Sequence, residues 1–145
     1  MGLDMYLTAS KYQFGEKDEL TDAVNKVIDS KGYPVQSVAI MACQWRKANQ
    51  IHAWFVDNVQ DGEDECKKHH VEVDTLKRLV DLCKEVLADN SKAEDLLPTQ
   101  DGFFFGDTGY NDYYFEDLAY TVEKLTPFVT DPDWQIWDFN YQSSW

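Results

Sequence analysis

An α+β fold is what this chain of 145 residues predicts: a small antiparallel sheet that includes both termini, packed by three to four helices. Three observations carry that expectation. The opening residues alternate apolar and polar with period two. Several later stretches repeat apolar residues at spacings of three and four. The closing residues return to aromatic alternation. The length suits a single domain spanning residues 1–145, which can bury roughly two thirds of its unfolded surface.

Residues 2–8 set Leu3, Met5 and Leu7 against Asp4, Tyr6 and Thr8, the pattern of a half-buried strand. From Asp18 to about Ser30, Leu20, Ala23, Val24, Val27 and Ile28 fall on one helical face. Gly32 is placed to stop that helix and Pro34 to keep it stopped. Residues 35–42 are rich in valine and isoleucine and favour a strand over an early turn of the next helix. Residues 43–56 read as a helix, with Trp45, Ala48, His52, Phe55 and Val59 spaced by three and four.

Asp57–Glu65 is an acidic break around Gly62. A long helix is expected from Val73 to Asp89, burying Leu76, Leu79, Val80, Cys83, Val86 and Leu87. Asn90–Glu94 reads as a loop, and Leu97–Gly106 as an aromatic loop bracketed by glycines. Asn111 then caps a third helix carrying Tyr114, Leu118, Thr121, Val122 and Leu125. Pro127 and Pro132 are expected to end it. Trp134–Tyr141, with aromatic residues at period two, reads as a closing strand. Pairing it with the first strand would place both termini in the sheet.

The composition, 43% apolar and 14% aromatic, is that of a folded chain. A net charge of −14 opposes approach to nucleic acid or an anionic membrane and suits a partner with a basic face. Basic residues are scattered, so direct nucleic-acid binding is not expected. No apolar run is long enough to cross a bilayer, and the N-terminus shows no secretory pattern. Tyr6 stands where a myristoylation site wants Ser or Thr. Three cysteines, Cys43, Cys66 and Cys83, fit reduced thiols in a cytosol, with Cys43 and Cys83 inside helical patterns.

Chemistry is sparse. On a helix, Arg46, Asn49 and His52 would be neighbours and would offer a guanidinium, an amide and an imidazole to an anionic or nucleotide-like ligand. Trp45, Tyr6, Asp4 and the aromatic loop would line that pocket. The structural reading weighs more: a lone histidine on an apolar stripe is usually a satisfied core residue, and an arginine among many acids usually pairs with one. Cys66, His69 and His70 would stand one turn apart on a helix, but a zinc site needs further ligands that no second Cys/His motif supplies. Asp57–Asp64 is no calcium loop, since Val59 and Lys68 occupy ligand positions. Neither a metal nor a cofactor is expected. Phe103, Phe104 and Phe105 cannot all point inward, so at least one is expected to be exposed and to offer a contact surface.

Four separated motifs together resemble a family of small proteins of tailed bacteriophages and prophage-bearing bacteria. They are Met1–Leu7 (MGLDMYL), Trp45–Val56 (WRKANQIHAWFV), Leu97–Gly106 (LPTQDGFFFG) and Tyr141–Trp145 (YQSSW). Residues 9–42 fit the resemblance least. It implies an accessory protein working in the cytoplasm of a bacterial host, and it brings no catalytic assignment. Two function classes stay open. One is a non-enzymatic protein that contacts a host protein through acidic and aromatic surface. The other is a binder or hydrolase of a small anionic metabolite or nucleotide, with Arg46 gripping the anion and His52 as base.

Overall fold

A computed structural model describes residues 2–12, 18–28 and 31–145. Among them, strands β1 (Asp4–Tyr12), β2 (Ser37–Arg46), β3 (His69–Val71) and β4 (Asp138–Ser144) form one antiparallel sheet in the order β2-β1-β4-β3. The helices are α1 (Glu19–Val27), α2 (Asn49–Val59), α3 (Val73–Ala88), α4 (Ala93–Leu96) and α5 (Asp112–Thr130). Short 3₁₀ turns lie at Asn90–Lys92 and Pro132–Ile136. The first strand pairs with the last as expected, with Met5 opposite Ser143 and Leu7 opposite Tyr141.

Side-chain alternation sorts the sheet into two faces. Met5, Leu7 and Ala9 of β1 and Phe139, Tyr141 and Ser143 of β4 are buried in the core shared with the helices. Asp4, Tyr6, Thr8 and Ser10, with Asn140 and Gln142, are half-buried on the other face. A bulge between Leu7 and Thr8 leaves Leu7 opposite Cys43 but Thr8 opposite Met41, so both Ala42 and Cys43 turn inward. The inner face packs against helix α2, α3 and α5 residues, including Ile51, Phe55, Leu76, Leu79 and Leu118, all fully buried. Each such side chain contributes roughly 1.5–3 kcal/mol by leaving water.

Several expectations need correction. Residues 43–46, read as helical, extend strand β2, and the helix begins only at Asn49. Trp45, Ala48 and His52 are all buried, but a strand, a turn and a helix bring them inward, not one helical stripe. Lys47, at φ 57, makes the turn between strand and helix and donates its N–H to Leu3 O at 2.7 Å. Cys43 is therefore a strand residue. The apolar face of α1 is mostly exposed: Thr21 is buried and Val24 half-buried, while Leu20, Ala23, Val27 and Ile28 face outward. Periodicity fixes which residues share a face but not what covers it. The far end expected for this helix, Ser30, lies outside the described residues.

Residues 90–96, expected as a loop up to Glu94, wind into a 3₁₀ turn and the short α4, because Asp89 caps Ser91 N at 3.1 Å. Pro127 does not end α5, which runs three residues further and closes where Asp131 N donates to Pro127 O. A proline removes one donor but can still accept, and hydroxyl bonds from Thr126 and Thr130 brace the turn around it. Residues 134–136, expected in the closing strand, belong to the second 3₁₀ turn, begun by Pro132 and capped by Asp131. Among the described residues, no helix is long and apolar enough to cross a membrane.

Candidate functional site

The six residues singled out as ligand contacts divide between the two faces of the sheet. Asp4, Tyr6 and Arg46 lie on the open face, where the register sets Asp4 opposite Arg46 and Tyr6 opposite Gln44. The Arg46 Nε stands 4.0 Å from Asp4 Oδ1, with the arginine side chain 66% exposed, so this pair is loose and screened. Trp45, Asn49 and His52 are buried on the core side. Trp45 Nε1 donates to Thr121 Oγ1 at 2.8 Å and fastens β2 to α5.

Asn49 opens α2 and is saturated by backbone. Its Nδ2 donates to Phe105 O at 3.0 Å and to Asp107 O at 2.9 Å, and its Oδ1 accepts from Gln100 N at 2.9 Å. All three partners belong to the aromatic loop, which Asn49 thus pins from beneath. From the other side, Leu3 N donates to Phe104 O at 3.0 Å. The bracketing glycines are needed by this fold-back. A Cβ on Gly102 would come within 2.7 Å of the Phe105 ring, and Gly106 has φ 86 with Lys47 Cβ 3.1 Å from where its own Cβ would be. The three phenylalanines then part company. Phe105 is buried edge-on to His52 with ring centroids 5.3 Å apart, Phe104 is half-buried, and Phe103 is 95% exposed.

His52 is fully buried between two polar partners. Its Nδ1 lies 2.6 Å from Tyr141 Oη and its Nε2 lies 2.9 Å from Asp64 Oδ1. An ionised carboxylate only accepts, so Nε2 carries the proton and donates it, and Nδ1 accepts from the tyrosine hydroxyl. Burial holds the imidazole pKa below its ordinary value, against the opposing pull of the Asp64 charge. Burial likewise pushes the Tyr141 hydroxyl well up. Asp64 Oδ1 also accepts from Trp145 Nε1 at 3.1 Å, and the Tyr141 ring stacks on Phe55 at 3.9 Å. The result is a neutral histidine used as a connector.

Among the described residues, Arg46 and His52 line different hollows. Arg46 lines a hollow of about 260 Å³ with Lys47, Gln50, Tyr113, Glu116 and Asp117. His52 borders another of about 220 Å³ with Asp57, Gly62, Asp64 and Gln100. Asn49 lines neither. In the first hollow, burial raises the Asp117 carboxyl pKa, and Gln50 Nε2 donates to it at 3.2 Å. Cys43 and Cys83 are buried thiols pushed up to about 12 by desolvation, which makes them poor nucleophiles. Cys66 is exposed. His69 and His70 lie on strand β3, not on a helix, and so face opposite ways. His69 Nε2 lies 3.0 Å from Glu65 Oε1 without the alignment of a hydrogen bond, and His70 Nε2 lies 3.0 Å from Glu72 Oε1.

Set against family models, curated proteins and solved structures, the chain finds no match.

Sequence reasoning missed Tyr141, Gln50 and Gln60 as buried polar groups, and Asp64 as the surface carboxylate that meets His52. Gln60 Nε2 donates to Glu63 O at 3.1 Å and Glu65 O at 3.0 Å, closing the turn around Gly62. The available signal was the run of polar residues at 49, 50 and 52 among apolar neighbours, which marks buried hydrogen bonding as readily as a ligand site.

Two outcomes are expected. Asn49→Ala should lower the unfolding free energy by about 2–3 kcal/mol in denaturant titration, because it strands buried backbone groups. Asn49→Asp should not rescue it, since a carboxylate cannot donate to the two carbonyls. An Asn49 kept for ligand recognition would leave stability unchanged. The second concerns pH. The folded His52 pKa lies below the unfolded value, so at high pH it is neutral in both states and costs nothing. As pH falls through the ordinary imidazole value of 6.5, the unfolded chain takes up a proton that the folded one refuses. Stability should fall from pH 7 towards pH 5.5, by at most about 1.4 kcal/mol per pH unit. His52→Gln should flatten that slope in pH-dependent melting, and an unchanged slope would remove His52 as its source.

Proposed function

We propose that this chain is a phage-associated accessory protein that works by binding, contacting a host protein in the bacterial cytoplasm through acidic and aromatic surface. One observation carries the reading: Phe103 is 95% exposed on a loop fastened from both sides by Asn49 and Leu3. A large apolar ring held out by a fastened loop loses little freedom on docking, so its burial goes into affinity. Aromatic residues are enriched at the cores of protein interfaces. Asp101 and Asp107 flank it in the sequence, and a net charge of −14 favours a partner with a basic face. The likeness of four sequence motifs to proteins of tailed phages supplies the setting.

The ligand reading is supported less. Arg46 and His52 line separate hollows, and carboxylates share each: Glu116 and Asp117 beside Arg46, Asp57 and Asp64 beside His52.

The test is capture of host proteins on the immobilised chain at low and high salt, with Phe103→Ala alongside. Retention of a specific protein that weakens with salt and drops about tenfold in the variant, at unchanged melting temperature, is expected. Equal retention by wild type and variant would refute the role of Phe103, and no retention at low salt would refute the binding reading itself.

A further inference from the structure

We propose that two copies of this chain pair through helix α1, antiparallel, one helix against the other. The helix is held to the body at its start. Asp18 accepts from Thr21 N and Thr21 Oγ1, each at 2.7 Å, and pairs with Lys11 Nζ at 2.6 Å, which keeps its carboxyl well below the usual range. Beyond that anchor, Thr21 and Val24 face inward, whereas Leu20, Ala23 and Val27 form a stripe in solvent, with Val27 81% exposed. Nine residues are too few for a helix to persist in water without packing. An apolar stripe on such a helix calls for a cover.

The flanking charges say which cover. Spacings of three and four put Leu20, Ala23 and Val27 at the seam positions of a heptad. Glu19 and Lys26 then fall seven residues apart on the same flank, and among the described residues neither has a charged partner. In an antiparallel pair that flank meets its own copy, so Glu19 of each helix faces Lys26 of the other, twice over. A parallel pair would set the same flank against Val24 and gain nothing. Ala23 at the crossing lets the backbones approach. Charge across the whole chain points the same way. Residues 11–36 hold four lysines against five carboxylates, a net of −1, leaving −13 of the −14 to the remainder. Along the sequence, the charge that opposes pairing of two copies is therefore least in this stretch.

The seam is short, below the roughly 1,200 Å² of a stable interface, so pairing is reversible, with dissociation on the order of 10–100 µM. Sedimentation equilibrium of the whole chain over that range tests it, with Lys26→Glu and Glu19→Lys/Lys26→Glu beside the wild type. Both substitutions are at exposed positions, and circular dichroism checks that each variant folds. The wild type should move from monomer to dimer. Lys26→Glu should weaken pairing about tenfold by opposing like charges, and the double exchange should restore it. A wild type that stays monomeric throughout would overturn the proposal. So would a dimer indifferent to Lys26→Glu, or one that the double exchange fails to restore.

Discussion

Helix α2 and its C-terminal cap place four polar side chains, Asn49, Gln50, His52 and Gln60, where they are almost wholly withdrawn from water. A buried donor or acceptor left unpaired costs about 1–3 kcal/mol, so each side chain needs a partner in the folded chain, and of their buried polar atoms Gln60 Oε1 is left without one among the described residues. Each meets a different segment. Asn49 holds the aromatic loop, and Gln50 reaches Tyr114 O and Asp117 on α5. His52 joins β4 to Asp64, and Gln60 closes the turn that follows the helix. The apolar residues between them, Ile51, Phe55 and Val56, bury the same helix against the sheet and α3 side of the core. Hydrophobic burial brings the elements together, and these polar contacts decide where the loops must lie.

That arrangement explains what could be read from the chain and what could not. The strand at the N-terminus was legible because one face of β1 is buried and the other is not, so the alternation of Leu3, Met5 and Leu7 is unbroken. The closing strand was legible for the same reason, although its start was misplaced because Trp134 and Ile136 mimic alternation while sitting in a 3₁₀ turn. Helix α3 was plain from five buried residues at regular spacing, and Asn111 announced α5 by capping Tyr114 N. The segment around Trp45 was misread because strand, turn and helix each deliver one residue inward, and the sum imitates a helical period. Only Lys47 and Ala48 separate the two elements, and nothing in the side chain of Lys47 signals its positive φ.

The candidate site was legible in its members but not in their purpose. Trp45, Asn49 and His52 are unusual residues in an apolar stretch, and Asn49 and His52 do meet the aromatic loop. What sequence could not show is that their polar atoms are already taken by Thr121, by loop backbone, and by Tyr141 with Asp64. Saturated groups hold structure, and the proposed contact rests on what they hold out. Here that is Phe103, exposed on the glycine-bracketed turn between Asp101 and Asp107.

Amide hydrogen exchange on the wild-type chain tests the fastening role of α2 most directly. The amides of Gln100 and Leu3 belong to exposed or terminal segments, yet each donates to the pinned loop or its anchor. If α2 governs the loop, both should exchange as slowly as the amides of the central strand β1, through global unfolding alone. Exchange at the fast rate of a freely opening loop, while the strands stay protected, would contradict the account.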